Sequence, residues 1–160
     1  MKYLRMNMDL IEIKNVNSKD LSQIVNLENR IFKNNAFSKD LLKSLINNNA
    51  LFLKLETGKV IKKIIGFLIA IRDERERINI INFLIKFKFQ NKGYGSYLLQ
   101  KAINEIKKMK GIKKIVLNVQ ISNIAAINLY EKFNFKKNPD ILEHYYQSGE
   151  NAYLMELEID

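Results

Sequence analysis

The sequence predicts a single α/β (α+β) domain over residues 1–160. Its 160 residues are 47% hydrophobic and 28% charged, a length and composition typical of one globular domain with a buried core. Runs with the alternation of β-strands are interleaved with runs whose apolar residues recur at helical spacing. Neither an internal repeat nor a Pro/Gly/Ser-rich linker divides them. Residues 1–9 precede the first predicted strand and are interpreted as a disordered or additional tail.

The first half of the chain is predicted to follow the order β–α–α–β–β–β. Ser18 is expected to cap the first helix, in which Leu21, Ile24 and Ile31 lie on one apolar face. Glu28 falls in that same face, so its carboxylate is either paired inside the protein or directed into a cleft. The other predicted elements are strands at 10–14, 50–56, 62–71 and 77–87 and a second helix at 38–47.

The second half is predicted to contribute two helices and further strands. The stretch 87–111 contains the main helix, whose apolar face includes Leu98, Ala102 and Ile106. Gly111 is expected to end this helix, since glycine readily adopts the left-handed conformation of a helix terminus. The remaining elements are a strand at 113–119, a helix that begins after "SN" at 122–123 and ends near Asn134, and closing strands of which the last spans 151–159.

The composition excludes several classes of chemistry. The chain has no cysteine and one histidine, His144, so disulfides, a cysteine nucleophile and thiolate metal sites are ruled out, and a metal site is not expected. No apolar run reaches the roughly 18 residues of a membrane span, and no signal-peptide stretch is present, which predicts a cytoplasmic protein without membrane contact. The net charge of +10 fits either a lysine-rich surface or an anionic partner. The lysines near Gly111 lack the interleaved aromatic residues of a nucleic-acid surface, so no direct nucleic-acid specificity is expected.

Gly93 and Gly95 lie where a predicted strand ends and the main helix begins, in the pattern Q-x-x-G-x-G that starts at Gln90. Free N–H groups of residues 91–96 at the start of a helix would bind an anion such as a pyrophosphate. A P-loop is excluded because G-x-x-x-x-G-K-[ST] is absent, and a dinucleotide fingerprint because Leu98 occupies the slot of its third glycine. A purely structural strand–helix turn is the alternative interpretation.

Four motifs, taken in their order along the chain, resemble those of the GNAT acetyltransferase superfamily. The resemblance is to its protein N-alpha-acetyltransferase branch in particular, which includes ribosomal-protein alanine acetyltransferases. They are Q-x-x-G-x-G, "VQISNIAAINLYEKFNF" at 119–135, "HYYQSGENAYLM" at 144–155 and "LENRIFKNNAFS" at 27–38. The resemblance covers essentially the whole chain. It implies the GNAT fold, a central mixed, mostly antiparallel twisted sheet of about six to seven strands flanked by about four helices.

The resemblance implies direct transfer of an acetyl group from acetyl-CoA to a primary amine, with coenzyme A as product and no covalent enzyme intermediate. In such enzymes the edge of the long strand pairs with the pantetheine arm, a backbone N–H there stabilises the oxyanion, and the glycine turn binds the pyrophosphate. The residues implied to bind acetyl-CoA are Phe83, Leu84, Ile85, Gln90, Asn91, Lys92, Gly93, Tyr94, Gly95, Ser96, Asn123 and Tyr130.

Tyr130 matches the family's tyrosine that protonates the departing thiolate, and a reference pKa near 10 suits an acid at neutral pH. Its place on the apolar face of a helix leaves a purely structural role as the alternative. Asn118 and Asn79 stand where many relatives have a Glu, His or Tyr as general base. Because a carboxamide is not a base, Asn118 is expected to orient a water molecule or the incoming amine, while Glu28, His144 or an ordered water accepts the proton.

The weak base capacity favours an N-terminal amine as substrate. Such an amine has a pKa near 7.8 and is about 10–15% neutral at pH 7, against about 0.04% for a lysine amine. The residues expected to contact the substrate are Glu28, Phe32, Asn79, Tyr145 and Tyr146. The leading hypothesis is a protein N-alpha-acetyltransferase, monomeric or weakly dimeric, that acts on protein or peptide N-termini, including those at the ribosome. The alternatives are acetylation of small amines or lysine side chains, and a catalytically weak acyl-CoA-binding module.

Overall fold

The computed structural model describes residues 10–160, so the predicted tail at 1–9 lies outside the described residues. Within them, seven strands form one sheet and four α-helices pack on it, which confirms the predicted fold class. The strands are β1 Ile11–Asn15, β2 Leu51–Thr57, β3 Lys63–Glu74, β4 Arg77–Ile85, β5 Lys114–Gln120, β6 Lys136–Leu142 and β7 Ala152–Glu158. The helices are α1 Leu21–Phe32, α2 Lys39–Asn47, α3 Tyr94–Lys107 and α4 Ile124–Lys132. In this part of the chain no helix is long and apolar enough to cross a membrane.

The sheet has the strand order β1-β2-β3-β4-β5-β7-β6, and β4 with β5 is its one parallel pair among the described strands. The ladder between β4 and β5 is short, since its last paired residues are Ile80 and Leu117. Both strands continue beyond this pair, β4 to Ile85 and β5 to Gln120. The two strands therefore diverge in the middle of the sheet and leave a gap between them.

Each face of the sheet has its own hydrophobic core. On one face Leu98 and Ile106 of α3 are fully buried against residues such as Leu68 and Ile115. On the other face α1 and α2 bury Ile24 and Leu42 against Phe67 and Ile69, among others. Each such side chain stabilises the fold by about 1.5–3 kcal/mol relative to an exposed one. The two cores fix the walls on either side of the gap.

A β-bulge changes the direction of the side chains near the end of β4. Ile69 of β3 pairs with Asn82, but the next residue, Ala70, pairs with Ile80, so Ile81 has no opposite partner. An unpaired residue of this kind reverses the alternation of side chains that follow it. Ile80 accordingly packs in the α3 core, whereas Asn82 points to the α1 side and bonds to Glu28.

Two predicted helix ends are wrong. Asn17, not Ser18, is the cap: its side chain accepts from the Lys19 amide, and the side chain of Asp20 accepts from the Asn17 amide, which closes a short turn before α1. Helix α3 ends at Lys107, well before Gly111, because the next two amides bond to carbonyls three residues back and tighten the last turn. Gly111 does have a positive φ of 74°, in the loop that leads to β5.

Candidate active site

A cavity of about 720 Å³ opens where β4 and β5 diverge. Its walls are the ends of these strands, the turn before α3, helix α4 and, opposite, α1 with the segment that follows it. The sequence-predicted site residues that line it are Glu28, Phe32, Phe83, Leu84, Ile85, Gln90, Asn91, Gly93, Gly95, Ser96, Asn118, Asn123, Tyr130 and Tyr146. Those that are not among its lining residues are Asn79, Lys92, Tyr94, His144 and Tyr145.

The turn at 91–96 presents backbone donors to the cavity. Asn91 and Gly93 have positive φ angles of 57° and 85°, and none of the six amides has a backbone acceptor among the described residues. The side chain of Gln90 donates to the carbonyl of Ile85 at 2.8 Å and so fixes the turn to the end of β4. Successive free N–H groups at the start of a helix bind anions. Lys92 is exposed and Tyr94 is buried, and neither is among the residues that line the cavity.

The edge of β4 that faces the gap can accept an extended ligand. β4 is paired with β3 as far as Ile85, but its other edge has no strand partner among the described residues after Ile80. The backbone groups of Phe83, Leu84 and Ile85 that point away from β3, apart from the Ile85 carbonyl that accepts from Gln90, are thus available to a chain with amides of its own. An elongated ligand with amide groups and a phosphate end fits both the strand edge and the turn.

Tyr130 lies on α4 with its ring between Phe83 and Phe135, at centroid distances of 6.2 and 5.8 Å. Burial raises the pKa of Tyr130 well above its usual value, with Tyr146 as a second cause, so the hydroxyl is protonated at neutral pH. At the start of α4, Asn123 is the N-cap, and its side chain accepts from the Ala126 amide at 3.2 Å. The helix therefore holds a protonated phenol against the cavity at a position fixed by aromatic packing.

Glu28 is a fully buried carboxylate that lines the cavity. One oxygen accepts from the amide of Phe37 at 2.7 Å, and the other accepts from Nδ2 of Asn82 at 2.8 Å. Burial raises the pKa of Glu28, and these two hydrogen bonds oppose that effect. Both interpretations of Glu28 from sequence thus apply, because it is bonded internally and also faces the cleft.

Asn118 is bonded to the loop between β6 and β7. Its Nδ2 donates to the hydroxyl of Tyr145 at 2.8 Å, and the hydroxyl of Tyr146 donates to its backbone carbonyl at 3.3 Å. The two tyrosine rings pack edge to face, 5.0 Å apart, and burial raises the pKa of Tyr146. The loop thereby covers the β5 side of the cavity, with Tyr145 supporting Asn118 from outside.

Two candidates from the sequence lie away from the cavity. Asn79 belongs to the paired part of β4, opposite Val116, and its Nδ2 donates to Asp73 at 3.0 Å. His144 is exposed, with its Nδ1 3.2 Å from the carbonyl of Gly149. The geometry does not support Asn79 as a substrate contact or His144 as the proton acceptor.

Asn82 is the cavity residue that the sequence interpretation missed. It is 6% exposed, and its Nδ2 donates to Glu28. A signal was present, since a glutamate on an apolar helix face needs a buried donor. The β-bulge at Ile81 turns Asn82 to the α1 face, so that Asn82 supplies it.

The variant Glu28→Gln tests the pH dependence that this burial implies. Burial raises the pKa of Glu28 above its ordinary value of 4.5, so the folded protein holds this proton more tightly than the unfolded chain does. The stability from this linkage is full below the ordinary pKa and is lost as the pH rises through the raised pKa. The free energy of unfolding of the wild type, minus that of the variant, should therefore fall as the pH rises above 4.5, as measured by urea denaturation.

Glu105→Gln is a control of opposite sign. Lys101, and next Lys108, hold the pKa of the exposed Glu105 carboxylate below its ordinary value. The free energy of unfolding of the wild type, minus that of Glu105→Gln, should therefore increase as the pH rises towards 4.5. A difference for Glu28→Gln that does not change with pH would contradict a desolvated carboxylate at this position.

Comparisons with known proteins bear on this site. The family described as "Acetyltransferase (GNAT) family" matches residues 19–135. An N-alpha-acetyltransferase of Sulfolobus acidocaldarius is 38% identical over 77 residues, 48% of this chain and 45% of that protein. The chain thus spans about half the length of the first curated relatives it matches.

Solved structures extend the comparison along the chain. The crystal structure of the ribosomal-protein-S18-alanine N-acetyltransferase from Escherichia coli has a TM-score of 0.80 at 27% identity and covers 94% of this chain and 95% of that chain. Ard1 from Thermoplasma volcanium has a TM-score of 0.84 at 20% identity over 94% of this chain and 98% of that chain, which shows the same fold.

Proposed function

The chain belongs to the acetyltransferase (GNAT) family, and from that premise we propose that it transfers the acetyl group of acetyl-CoA to the N-terminal amine of proteins or peptides. The main support is the gap between β4 and β5. A free strand edge, a turn of unpaired amides and a buried tyrosine meet there in one cavity.

Acetyl-CoA fits this cavity by the chemistry of its parts. The amides of 91–96 would hold the pyrophosphate, the edge of β4 at 83–85 would pair with the amides of the pantetheine arm, and Asn123 lies close to that path. When bound, acetyl-CoA supplies a thioester carbonyl for attack by an amine. The free N–H groups of the β4 edge are suited to stabilise the oxyanion that develops on such a carbonyl.

The hydroxyl of Tyr130 would donate a proton to the departing sulfur. Its raised pKa keeps it protonated at neutral pH, so a proton is present when negative charge develops on the thiolate. Phe83 and Phe135 hold the ring in position. Glu28 is the cavity's carboxylate on the α1 side and is suited to attract the positive charge of an incoming amine.

Two features favour a chain end as substrate. The cavity lacks a histidine among its lining residues, and an N-terminal amine needs less base assistance than a lysine amine, which is roughly 300-fold less often neutral at pH 7. In addition, Asn35 after α1 and Ser148 in the β6–β7 loop form two reciprocal hydrogen bonds of 3.2 and 3.0 Å. These bonds connect the two segments that flank the cavity, and a slender N-terminal segment fits such an enclosed entrance.

A peptide library tests the proposal. Peptides varied at positions one and two, blocked lysine peptides and polyamines are compared as acceptors while release of coenzyme A is followed. We expect kcat/KM to be at least tenfold higher for the best N-termini than for any polyamine or lysine peptide. The named activity of the Escherichia coli neighbour makes an N-terminal alanine the first residue to try. A preference for polyamines or lysine would favour the alternative acceptors, and tight acetyl-CoA binding without turnover on any amine would favour a binding module.

A further inference from the structure

Glu150 connects the β6–β7 loop to the end of β5 and to the start of α4. Its Oε1 accepts from the hydroxyl of Ser122 at 3.1 Å. Its Oε2 accepts from Nε2 of Gln120 at 2.9 Å and from the hydroxyl of Ser148 at 3.1 Å. An ionised carboxylate only accepts hydrogen bonds and has about four lone-pair sites. Glu150 thus uses most of its capacity to hold these three donors.

Two of the three donors belong to the wall along which the coenzyme would lie. Gln120 is the last residue of β5 and lines the cavity. Ser122 directly precedes Asn123, which is the N-cap of α4 and also lines the cavity. The bonds to Glu150 therefore fix the end of β5 and the start of α4 relative to each other, where the pantetheine arm would pass.

The third donor, Ser148, leads to the entrance of the cavity. Its hydroxyl donates to Glu150 and accepts from Nδ2 of Asn35 at 3.2 Å, and its amide donates to Oδ1 of Asn35 at 3.0 Å. Asn35 lies between α1 and α2 and lines the cavity. Hydrogen bonds that follow one another in this way strengthen each other. One continuous network thus runs from the α1–α2 segment through Ser148 and Glu150 to the start of α4.

The side chain of Glu150 acts through its neighbours. Glu150 is exposed and is not among the residues that line the cavity, so it does not contact a ligand there. Its backbone carbonyl separately accepts from the amide of Tyr146 at 3.2 Å. A substitution of the side chain leaves this backbone bond in place and removes only the network.

We propose that Glu150 is a positioning residue that couples the binding of coenzyme to the binding of peptide, an inference that rests on the proposed function. A coenzyme that fixes the start of α4 also fixes Glu150 and, through Ser148, the entrance segment at Asn35. Less conformational freedom is then lost when the peptide binds. Each ligand therefore strengthens the binding of the other, and thermodynamic linkage requires the same factor in both directions.

Calorimetry measures this coupling. The probe is the acceptor peptide with the highest kcat/KM, and its dissociation constant is measured with and without saturating coenzyme A, where no transfer occurs. We expect coenzyme A to tighten peptide binding at least about fivefold in the wild type and no more than about twofold in Glu150→Ala. Affinity for coenzyme A alone should stay within about threefold, since Glu150 does not line the cavity. In steady-state kinetics with saturating acetyl-CoA, the KM of the peptide should rise while kcat stays within about threefold.

Two conservative variants separate hydrogen bonding from charge. In Glu150→Gln the amide oxygen can still accept from Gln120 and Ser148. Its amide nitrogen can donate to the hydroxyl of Ser122, so the coupling should stay within about twofold of the wild type. Glu150→Asp keeps the charge but is one methylene shorter and cannot reach both sides, so it should lose the coupling. Loss in Glu150→Gln with retention in Glu150→Asp would assign the effect to charge and overturn the inference.

Glu143→Ala is the matched control, since Glu143 is an exposed carboxylate at the other end of the same loop and takes no part in these bonds. It should keep the wild-type coupling. A wild-type coupling below about twofold, with peptides still acetylated, would overturn the inference and leave the proposed function intact. A lower thermal midpoint in Glu150→Ala with unchanged coupling would also overturn it, because the role would then be structural only. Absence of transfer to any peptide would reject the proposed function and the inference with it.

Discussion

Replacing Tyr130 by phenylalanine should lower kcat about 100-fold and leave acetyl-CoA affinity within about threefold. The substitution keeps the ring that packs with Phe83 and Phe135 and removes only the proton. The loss should appear in steady-state kinetics as a change in kcat, because the hydroxyl acts when the thiolate leaves. Cofactor affinity is measured separately by calorimetry.

Tyr153→Phe provides the matched control for this substitution. Tyr153 packs beside the α3 core but does not line the cavity, so kcat should be within about twofold of the wild type. If Tyr130→Phe lowered the thermal midpoint while turnover per folded molecule stayed unchanged, Tyr130 would be a core residue without a role in the reaction.

Replacing Gly93 by valine should weaken acetyl-CoA binding at least about tenfold. Gly93 has a φ of 85° at the start of α3, a conformation that a β-branched residue rarely adopts. The added side chain also occupies the surface of the turn where the backbone amides would meet the pyrophosphate. Isothermal titration with acetyl-CoA and with coenzyme A measures the effect on binding without turnover.

Gly111→Val separates strain from contact. Gly111 has a similar φ of 74°, and a Cβ there would meet only the flexible end of Arg72, at 3.6 Å. Gly111 is not among the residues that line the cavity. Both variants should lose stability, but only Gly93→Val should lose affinity. Wild-type affinity in Gly93→Val would exclude the turn as the pyrophosphate site.

The sequence was sufficient for most of the fold because hydrophobic periodicity is a local signal. The alternation in β7 and the helical spacing in α3 reflect burial on one face. The strands whose bounds were predicted lie within a few residues of those bounds. The predicted helix ends were less accurate. The start at Asn17 and the end of α3 before Gly111 depend on hydrogen bonds between particular groups and not on periodicity. Such bonds compete closely with one another and shift an end by several residues.

Only part of the candidate site could be predicted from the sequence. The glycine turn and Tyr130 lie in motifs whose order along the chain indicated one site, and the structure brings both to the same cavity. The pairing of Glu28 with Asn82 could not be predicted, because it depends on the bulge at Ile81. Strict alternation along β4 would place Asn79 and Asn82 on opposite faces. The unpaired residue at Ile81 therefore puts Asn82 on the α1 face, where it reaches Glu28.

The central claim is tested most directly by one peptide with both a free N-terminus and an internal lysine. The peptide is incubated with the protein and limiting acetyl-CoA, and tandem mass spectrometry locates the acetyl group. Since the lysine amine is roughly 300-fold less often neutral at pH 7, the account predicts acetylation of the α-amine in large excess. Acetylation mainly at the lysine, or none at either amine above the rate without protein, would contradict it.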